Sequence, residues 1–289
     1  MPVEPPILTP RTLPEALAAL TDSSADVPVT PIAGGTDLMV RITGEIGEPP
    51  ERMLDLWRLD ELRGITLEGE AISLGALTTY TDIRRSAACR EHLPVLVEAA
   101  ATIGAAQIQN RGTVGGNIAN ASPAGDTLPV LLALDAEIVA GSARGERSIP
   151  AADFWAAYRR TALAPDELIV RVRIPLATGR EARFRKIGTR RAQAISKVVM
   201  AVAWRDDRDA GTWRDVRVAL GSVADRPIRV EKVETALEGR APTPEVADLA
   251  AETLASEIQP IDDVRSTADY RRTVAARALH RIIRDAGGW

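Results

Sequence analysis

The 289-residue chain contains little cysteine, histidine or aromatic side chain: one Cys, two His, and 3% Phe, Trp and Tyr together. A single cysteine excludes a disulfide framework, and it excludes a cysteine-ligated zinc or iron–sulfur site built by this chain alone. His92 and His280 lie far apart, so we expect no histidine-rich metal site. With few aromatics and 45% apolar residues, the core must be mainly aliphatic.

Long apolar runs and blocks of basic residues are also missing. No stretch of about 20 apolar residues is present, so we expect no membrane span. The first residues show no basic region followed by an apolar run, so we expect no signal peptide. The net charge of −4, with acids and bases interspersed, is not typical of a nucleic-acid binder. These absences favour a cytoplasmic protein without a nucleic-acid partner.

Hydrophobic periodicity predicts a mixture of helices and short strands in the first part of the chain. Thr12 and Glu15 form a possible capping motif that begins the first helix. Helical spacing also predicts a short helix and a longer one, over residues 81–88 and 93–109. Short apolar and β-branched runs predict strands over residues 29–33, 53–56, 136–140, 146–149 and 168–174, and a hairpin over residues 65–74.

The composition changes between Pro175 and Arg183, where we place a domain boundary after residue 178. Beyond it, three strand-like runs cover residues 183–187, 197–204 and 213–223, and three helical patterns cover residues 230–237, 244–258 and 267–286. This order predicts a small α+β domain, residues 179–289, with three helices on one face of a three-stranded antiparallel sheet.

Two glycine-containing segments carry the clearest chemical signal. We name residues 33–37 (AGGTD) the first glycine segment and residues 113–117 (TVGGN) the second. Glycine lets backbone N–H groups approach a phosphate closely, so two facing segments could hold one diphosphate. Neither matches a Rossmann or Walker fingerprint, and an isolated pair of glycines is more often an ordinary turn than a phosphate site. Spacing alone therefore indicates only a possible nucleotide site.

Four longer stretches make the signal specific: residues 32–38, 110–129, 161–168 and 185–198. Together and in this order they resemble the FAD-binding medium subunit of the molybdenum hydroxylases. That family includes the medium subunit of carbon monoxide dehydrogenase and the FAD domain of xanthine dehydrogenase. The resemblance implies a PCMH-type FAD-binding domain over residues 1–178, with subdomains of about 1–56 and 57–178 and the flavin between them. It also implies that residues 179–289 form a C-terminal domain of the molybdenum-hydroxylase flavoprotein type.

The resemblance further implies which residues bind FAD. Asn120 and Asp126 would bond sugar or ribityl hydroxyls, Ile169 would contact a ring, and Lys186 would stabilise reduced flavin. Helix caps for the first two, a core position for Ile169 and a surface position for Lys186 are the structural alternatives. No catalytic residue or metal ligand is expected. The full cofactor set is Ile32, Ala33, Gly34, Gly35, Thr36, Asp37, Leu38, Ile103, Gly104, Ile108, Gly112, Thr113, Gly115, Gly116, Asn117, Asn120, Asp126, Ile169 and Lys186.

The implied function is electron transfer. The chain would take electrons from the [2Fe-2S] clusters of a small partner subunit and pass them to NAD or another acceptor. A large molybdenum-pterin subunit would act on the substrate. Two alternatives stay open: a self-sufficient FAD-dependent reductase of the enolpyruvyl-sugar-nucleotide type, and a non-enzymatic nucleotide-binding assembly module.

Overall fold

The computed structural model describes residues 5–23, 28–190 and 192–289. Arg191, which belongs to the fourth resembling stretch, lies outside these ranges, as do the first four residues of the chain. The described residues form three main sheets in chain order, which we name the first, middle and C-terminal sheets. Among the described residues, no helix is long and apolar enough to cross a membrane.

The first sheet is three-stranded and parallel, in the order β1-β3-β2. Thr12 caps the first helix by accepting from the Glu15 N–H, as the capping motif predicts. Leu20 of this helix packs with Leu54 of the sheet in a small core. The elements are β1 (Ile7–Leu8), α1 (Leu13–Thr21), β2 (Val29–Ile32), α2 (Leu38–Thr43) and β3 (Arg52–Asp55).

The middle sheet is five-stranded and antiparallel, in the order β4-β5-β10-β6-β7. The predicted hairpin over residues 65–74 forms its edge, and the predicted strand over residues 168–174 lies at its centre. The strands are β4 (Ile65–Glu68), β5 (Ala71–Gly75), β6 (Glu137–Ser142), β7 (Gly145–Pro150) and β10 (Leu168–Pro175). A separate two-stranded hairpin is formed by β8 (Trp155–Ala157) and β9 (Arg160–Thr161).

Short helices occupy most of the chain between β5 and β6, together with one after β7. They are α3 (Tyr80–Arg85), α4 (Ala87–His92), α5 (Pro94–Ala101), α6 (Ala106–Gln109), α7 (Val114–Asn120), α8 (Leu128–Ala133) and α9 (Ala151–Phe154). The prediction of one long helix over residues 93–109 was wrong. Gly104 has φ +49°, and the Gln109 side-chain amide donates to the carbonyls of Ala101 and Ile103, which ends α5. The predicted helix over residues 81–88 is likewise divided at Ser86, which caps α4.

The C-terminal sheet is antiparallel, in the order β11-β12-β13-β14. The sheet has four strands rather than the three predicted, because Ile228 and Arg229 also pair with the end of β13. The strands are β11 (Arg180–Ile187), β12 (Val198–Asp207), β13 (Thr212–Gly221) and β14 (Ile228–Arg229). The three predicted helices are present as α10 (Glu231–Leu237), α11 (Pro244–Glu257) and α12 (Ala268–Gly287).

Both faces of the C-terminal sheet are buried, which explains the almost continuous apolar run of β12. On one face, Val198, Met200 and Val202 join the core formed with α10, α11 and α12. On the other face, Val199 and Ala201 join the main core of the middle part of the chain. Helix α8 packs against this second face. The C-terminal sheet is therefore held firmly against the elements that carry the second glycine segment.

Candidate cofactor site

A cavity of about 450 Å³ lies where the first sheet meets the middle helices, and both glycine segments line it. The structure brings sixteen of the nineteen predicted cofactor residues to this one cavity. They are Ile32, Ala33, Gly34, Gly35, Thr36, Asp37, Leu38, Ile103, Ile108, Gly112, Thr113, Gly115, Gly116, Asn117, Asn120 and Ile169. Gly104, Asp126 and Lys186 lie outside the cavity wall.

The first glycine segment follows the carboxyl end of β2 and turns into α2. Gly35 has φ +74°, a conformation that favours glycine. Within the described residues, the amide N–H groups of residues 34–38 donate to no protein acceptor, and the Asp37 side chain makes no cap on α2. Such a run of free N–H groups beside a helix N-terminus suits a phosphate, since the donors and the helix dipole both favour negative charge.

The second glycine segment is the start of α7 rather than a loop. Thr113 caps this helix, with its hydroxyl accepting from the Gly116 N–H at 3.1 Å. The Gly115 N–H donates to Ala76 O at 2.9 Å, and the Asn117 N–H donates to Thr113 O at 3.0 Å. The prediction of a second run of free backbone donors was therefore wrong, because α7 and its contact with the middle sheet use them.

The positions in the two segments that hold glycine differ in what a side chain there would contact. A Cβ at Gly34 would lie 1.7 Å from Arg111 O, so the backbone of the first segment touches the turn just before the second. A Cβ at Gly115 would meet Ala76 at 2.7 Å. A Cβ at Gly116 would meet only the Thr113 hydroxyl, at 2.8 Å, and the position is otherwise open. Gly34 and Gly115 are thus required by packing, whereas Gly116 faces the cavity.

A row of polar side chains begins at the cavity wall and extends away from it. The Asn120 Nδ2 group donates to Asp37 Oδ1 at 3.1 Å. The Arg159 guanidinium donates to Asn120 Oδ1 at 2.7 Å. The row therefore connects the first glycine segment, α7 and the turn between β8 and β9.

Asp126 and Lys186 form an ion pair beside the cavity. The Lys186 ammonium donates to Asp126 Oδ2 at 2.6 Å and to Thr102 O at 3.0 Å, and both side chains are largely buried. Burial raises the pKa of Asp126, and the charge of Lys186 opposes that rise. Asp126 Oδ1 has no partner among the described residues. Lys186 is thus not the surface lysine of the alternative interpretation, and Asp126 is paired rather than a helix cap.

Gly104 lies outside the cavity wall, where close packing against Ile108 leaves no room for a side chain. A Cβ there would lie 2.7 Å from the Cβ of Ile108, a residue that lines the cavity. The glycine therefore allows the chain to turn closely around this part of the wall.

Sequence reasoning missed Tyr80, which lines the cavity and is 2% exposed. Its hydroxyl has no hydrogen-bond partner within the part of the chain that the structure describes. Burial raises the pKa of Tyr80 well above its usual value, so the phenol stays neutral and able to donate. No local pattern pointed to Tyr80, since its neighbours in the cavity come from distant parts of the chain.

Sequence reasoning also missed Glu167, which organises one wall. Its carboxylate accepts from the Arg147 guanidinium at 2.7 and 2.8 Å and from the Ala164 N–H at 2.7 Å. This holds the turn that carries Leu163 and Pro165 against the cavity. The Arg147 hydrogen bonds lower the pKa of Glu167. The signal was present, because this turn lies within the third resembling stretch.

One end of the cavity is apolar. Its wall there comes from α1, β2 and the segments next to β3 and β5, through Leu20, Val29, Leu56, Leu62 and Leu77. An apolar end next to a row of free amides suits a nucleotide, which joins a flat ring to a charged diphosphate. The residues present therefore fit a dinucleotide such as FAD.

Comparison with known proteins extends this geometric result. The family described as the FAD binding domain in molybdopterin dehydrogenase matches residues 3–177. The chain belongs to this family. The CO dehydrogenase flavoprotein C-terminal domain matches residues 183–286. The chain is therefore an FAD-binding medium subunit of the molybdenum hydroxylase type, as the resemblance in the sequence implied.

Relatives support this assignment over nearly the full length of the chain. The carbon monoxide dehydrogenase medium chain of Hydrogenophaga pseudoflava is 32% identical, over 96% of this chain and 95% of that protein. The nicotinate dehydrogenase FAD-subunit of Eubacterium barkeri is 34% identical, over 96% and 94%. The solved carbon monoxide dehydrogenase from Hydrogenophaga pseudoflava superimposes with a TM-score of 0.91, covering 97% of this chain and 96% of that chain.

Proposed function

We propose that this chain is the electron-transfer subunit of a molybdenum hydroxylase complex and binds one FAD in the cavity between the two glycine segments. The free N–H groups of residues 34–38 carry this proposal, because they offer five adjacent donors to one diphosphate. FAD, when bound, supplies a group that can hold one or two electrons.

The predicted site residues divide into two groups in this proposal. The sixteen that line the cavity contact the cofactor, with the first glycine segment on the diphosphate and the apolar end around a ring. The Tyr80 hydroxyl joins them as a buried neutral donor. Asp126, Lys186 and Gly104 lie outside the cavity wall and support it, and their contact with the cofactor stays a prediction.

The partners follow from the family rather than from this chain's own residues. Electrons would arrive from a small subunit with [2Fe-2S] clusters, and a large molybdenum-pterin subunit would act on the substrate. The electrons would pass to NAD or to another acceptor. The domain limits at residues 1–178 and 179–289, the two subdomains and the cytoplasmic location stay predictions.

The test begins with the chain purified alone and then with its complex. We expect one FAD per chain after acid release, and iron and molybdenum only in the complex. In the complex, rapid mixing with substrate should bleach the flavin, and NAD should restore its absorbance. A chain that binds no FAD on reconstitution would refute the proposal.

The two alternatives are separated in the same preparation. Turnover of NADPH with an enolpyruvyl sugar nucleotide by the isolated chain would favour the self-sufficient reductase. Assembly of an active complex that holds no FAD would favour the non-enzymatic module.

A further inference from the structure

We propose that Arg159 is a positioning residue that sets the orientation of the Asn120 amide, and that the row Asp37–Asn120–Arg159 controls how tightly the diphosphate is held. The inference rests on the proposed function, because it concerns the same cavity. It assigns a role to a residue that does not itself line the cavity wall.

The first observation is that Arg159 lies on a hairpin whose base contacts α7. It lies at the turn between β8 and β9 with φ +52°, a left-handed conformation that costs a residue with a Cβ on the order of 1 kcal/mol or more. The base of this hairpin is anchored to α7, since Trp155 Nε1 donates to Ile118 O at 3.1 Å. Ile118 lies two residues before Asn120. The hairpin and the amide that it contacts are therefore parts of one local assembly.

The second observation is that the Arg159 guanidinium forms no ion pair with a carboxylate of the described residues and donates instead to Asn120. Its other contacts are with Tyr158, whose hydroxyl accepts from the Arg159 Nε at 3.5 Å and whose ring lies 5.8 Å from the guanidinium. Asn120 Oδ1 is thus its one short hydrogen-bond acceptor in this part of the chain.

The third observation is that the two ends of the Asn120 amide face different neighbours. A side-chain amide has one accepting oxygen and one donating nitrogen. Because the guanidinium can only donate, Asn120 must turn its oxygen to Arg159, which leaves Nδ2 facing the Asp37 carboxylate. The Asp37 carboxylate can only accept, so it favours the same orientation. Removing the guanidinium takes away one of the two hydrogen bonds that hold the amide, and Asn120 then bridges α7 and the first glycine segment less firmly.

The row also balances charge beside a dianionic group. The Asp37 carboxylate stands next to the free amides of residues 34–38, where it would repel a diphosphate. Hydrogen bonding to Asn120, backed by the Arg159 cation, offsets this repulsion. The Arg159 charge should therefore strengthen binding of the diphosphate. Because Arg159 is exposed, this contribution to the affinity should decrease as ionic strength rises.

The test compares FAD affinity of the full chain by flavin fluorescence titration. We expect Arg159→Gln to weaken FAD binding about tenfold and to reduce the dependence of the affinity on salt. Arg160→Gln is the matched control, since Arg160 is the neighbouring exposed arginine of the same hairpin, and it should bind FAD as the wild type does. Thermal unfolding of each cofactor-free variant shows whether the fold is kept.

A charge swap separates positioning from a merely structural role. Asn120→Asp places two carboxylates face to face and should weaken binding more than tenfold. Adding Asp37→Asn exchanges donor and acceptor and should restore binding to within about threefold, but not when Arg159 is also Gln.

Either of two results would overturn the role of Arg159 and leave the proposed function intact. One is wild-type FAD affinity in the Arg159→Gln chain. The other is a normally folded Asn120→Asp, Asp37→Asn chain that does not regain affinity. A wild-type chain without FAD affinity overturns the proposed function as well.

Discussion

Gly34 and Gly116 offer the sharpest test of the site, because the two positions look alike in sequence and differ in space. At Gly34 an added methyl group would overlap the Arg111 carbonyl, with 1.7 Å between Cβ and oxygen and 2.5 Å between Cβ and the carbonyl carbon. Neither atom belongs to a side chain that could rotate away. At Gly116 the only close atom is the Thr113 hydroxyl.

The magnitudes follow from this difference. Gly34→Ala must separate two backbones by more than 1 Å, which we expect to cost at least about 3 kcal/mol and about 6 °C or more in Tm. Gly116→Ala loses about 1 kcal/mol if the Thr113 cap is displaced, and the higher helix propensity of Ala returns a similar amount. Gly116→Leu should keep the Tm but displace the diphosphate from at least one amide, which weakens FAD binding about ten- to a hundredfold.

Thermal unfolding of the cofactor-free chain and FAD titration measure the two effects separately. Gly34→Ala should lose both stability and affinity, whereas Gly116→Leu should lose affinity only. A Gly34→Ala chain with wild-type Tm would refute the direct contact between Gly34 and the Arg111 backbone. Full flavin content in the Gly116→Leu chain would refute the position of the diphosphate.

Three further perturbations test the supports of the cavity. Asp126→Ala leaves the largely buried Lys186 ammonium unpaired and should lower the unfolding free energy by about 3–5 kcal/mol in chemical denaturation; an Asp126→Ala chain as stable as the wild type would contradict the pairing. Trp57→Leu removes a ring whose centroid lies 3.8 Å from the Arg111 guanidinium carbon and 4.5 Å from that of Arg63, and should cost about 1–2 kcal/mol in unfolding free energy, whereas Trp57→Phe should retain most of this stability. Glu167 has a pKa lowered from 4.5 by its hydrogen bonds to Arg147, so its contribution is present above that value and is lost as the pH falls through the lowered pKa. The Tm of the wild type should therefore fall more steeply in acid than that of Glu167→Gln, and parallel curves would contradict this linkage.

The fold was predictable wherever local pattern and tertiary packing agree. The capping residue Thr12 began α1 as expected, and the alternating pattern before Pro175 marked the central strand β10. The prediction of secondary structure failed where a helix end or a strand depends on a contact with residues elsewhere in the chain. The break between α5 and α6 depends on Gln109, which folds back onto carbonyls six and eight residues earlier. The two-residue strand β14 forms only because the end of β13 is already in place.

Some residues of the candidate site could likewise be predicted from the sequence, and others could not. The glycine segments and their flanking residues could be predicted, because a close backbone approach to phosphate requires glycine in a recognisable order. Tyr80 could not, since nothing near it in sequence shows that its ring reaches the cavity. Nor could the use of the Gly116 and Asn117 amides at the start of α7 and of the Gly115 amide on Ala76 O, which depends on where the helix begins and what it packs against.

The sequence by itself determined the family, the two glycine segments and the absence of cysteines for an iron–sulfur centre in this chain. These properties depend on residue types and their order, which do not change on folding. Only the tertiary structure decided that the amides of the first segment stay free, whereas those of the second donate to the cap of α7 and to Ala76. It also showed that Gly34 serves backbone packing, and that Arg159 reaches Asn120 from a separate hairpin. A free donor, a close contact and a paired charge are relations between distant atoms, and these exist only once the chain has folded.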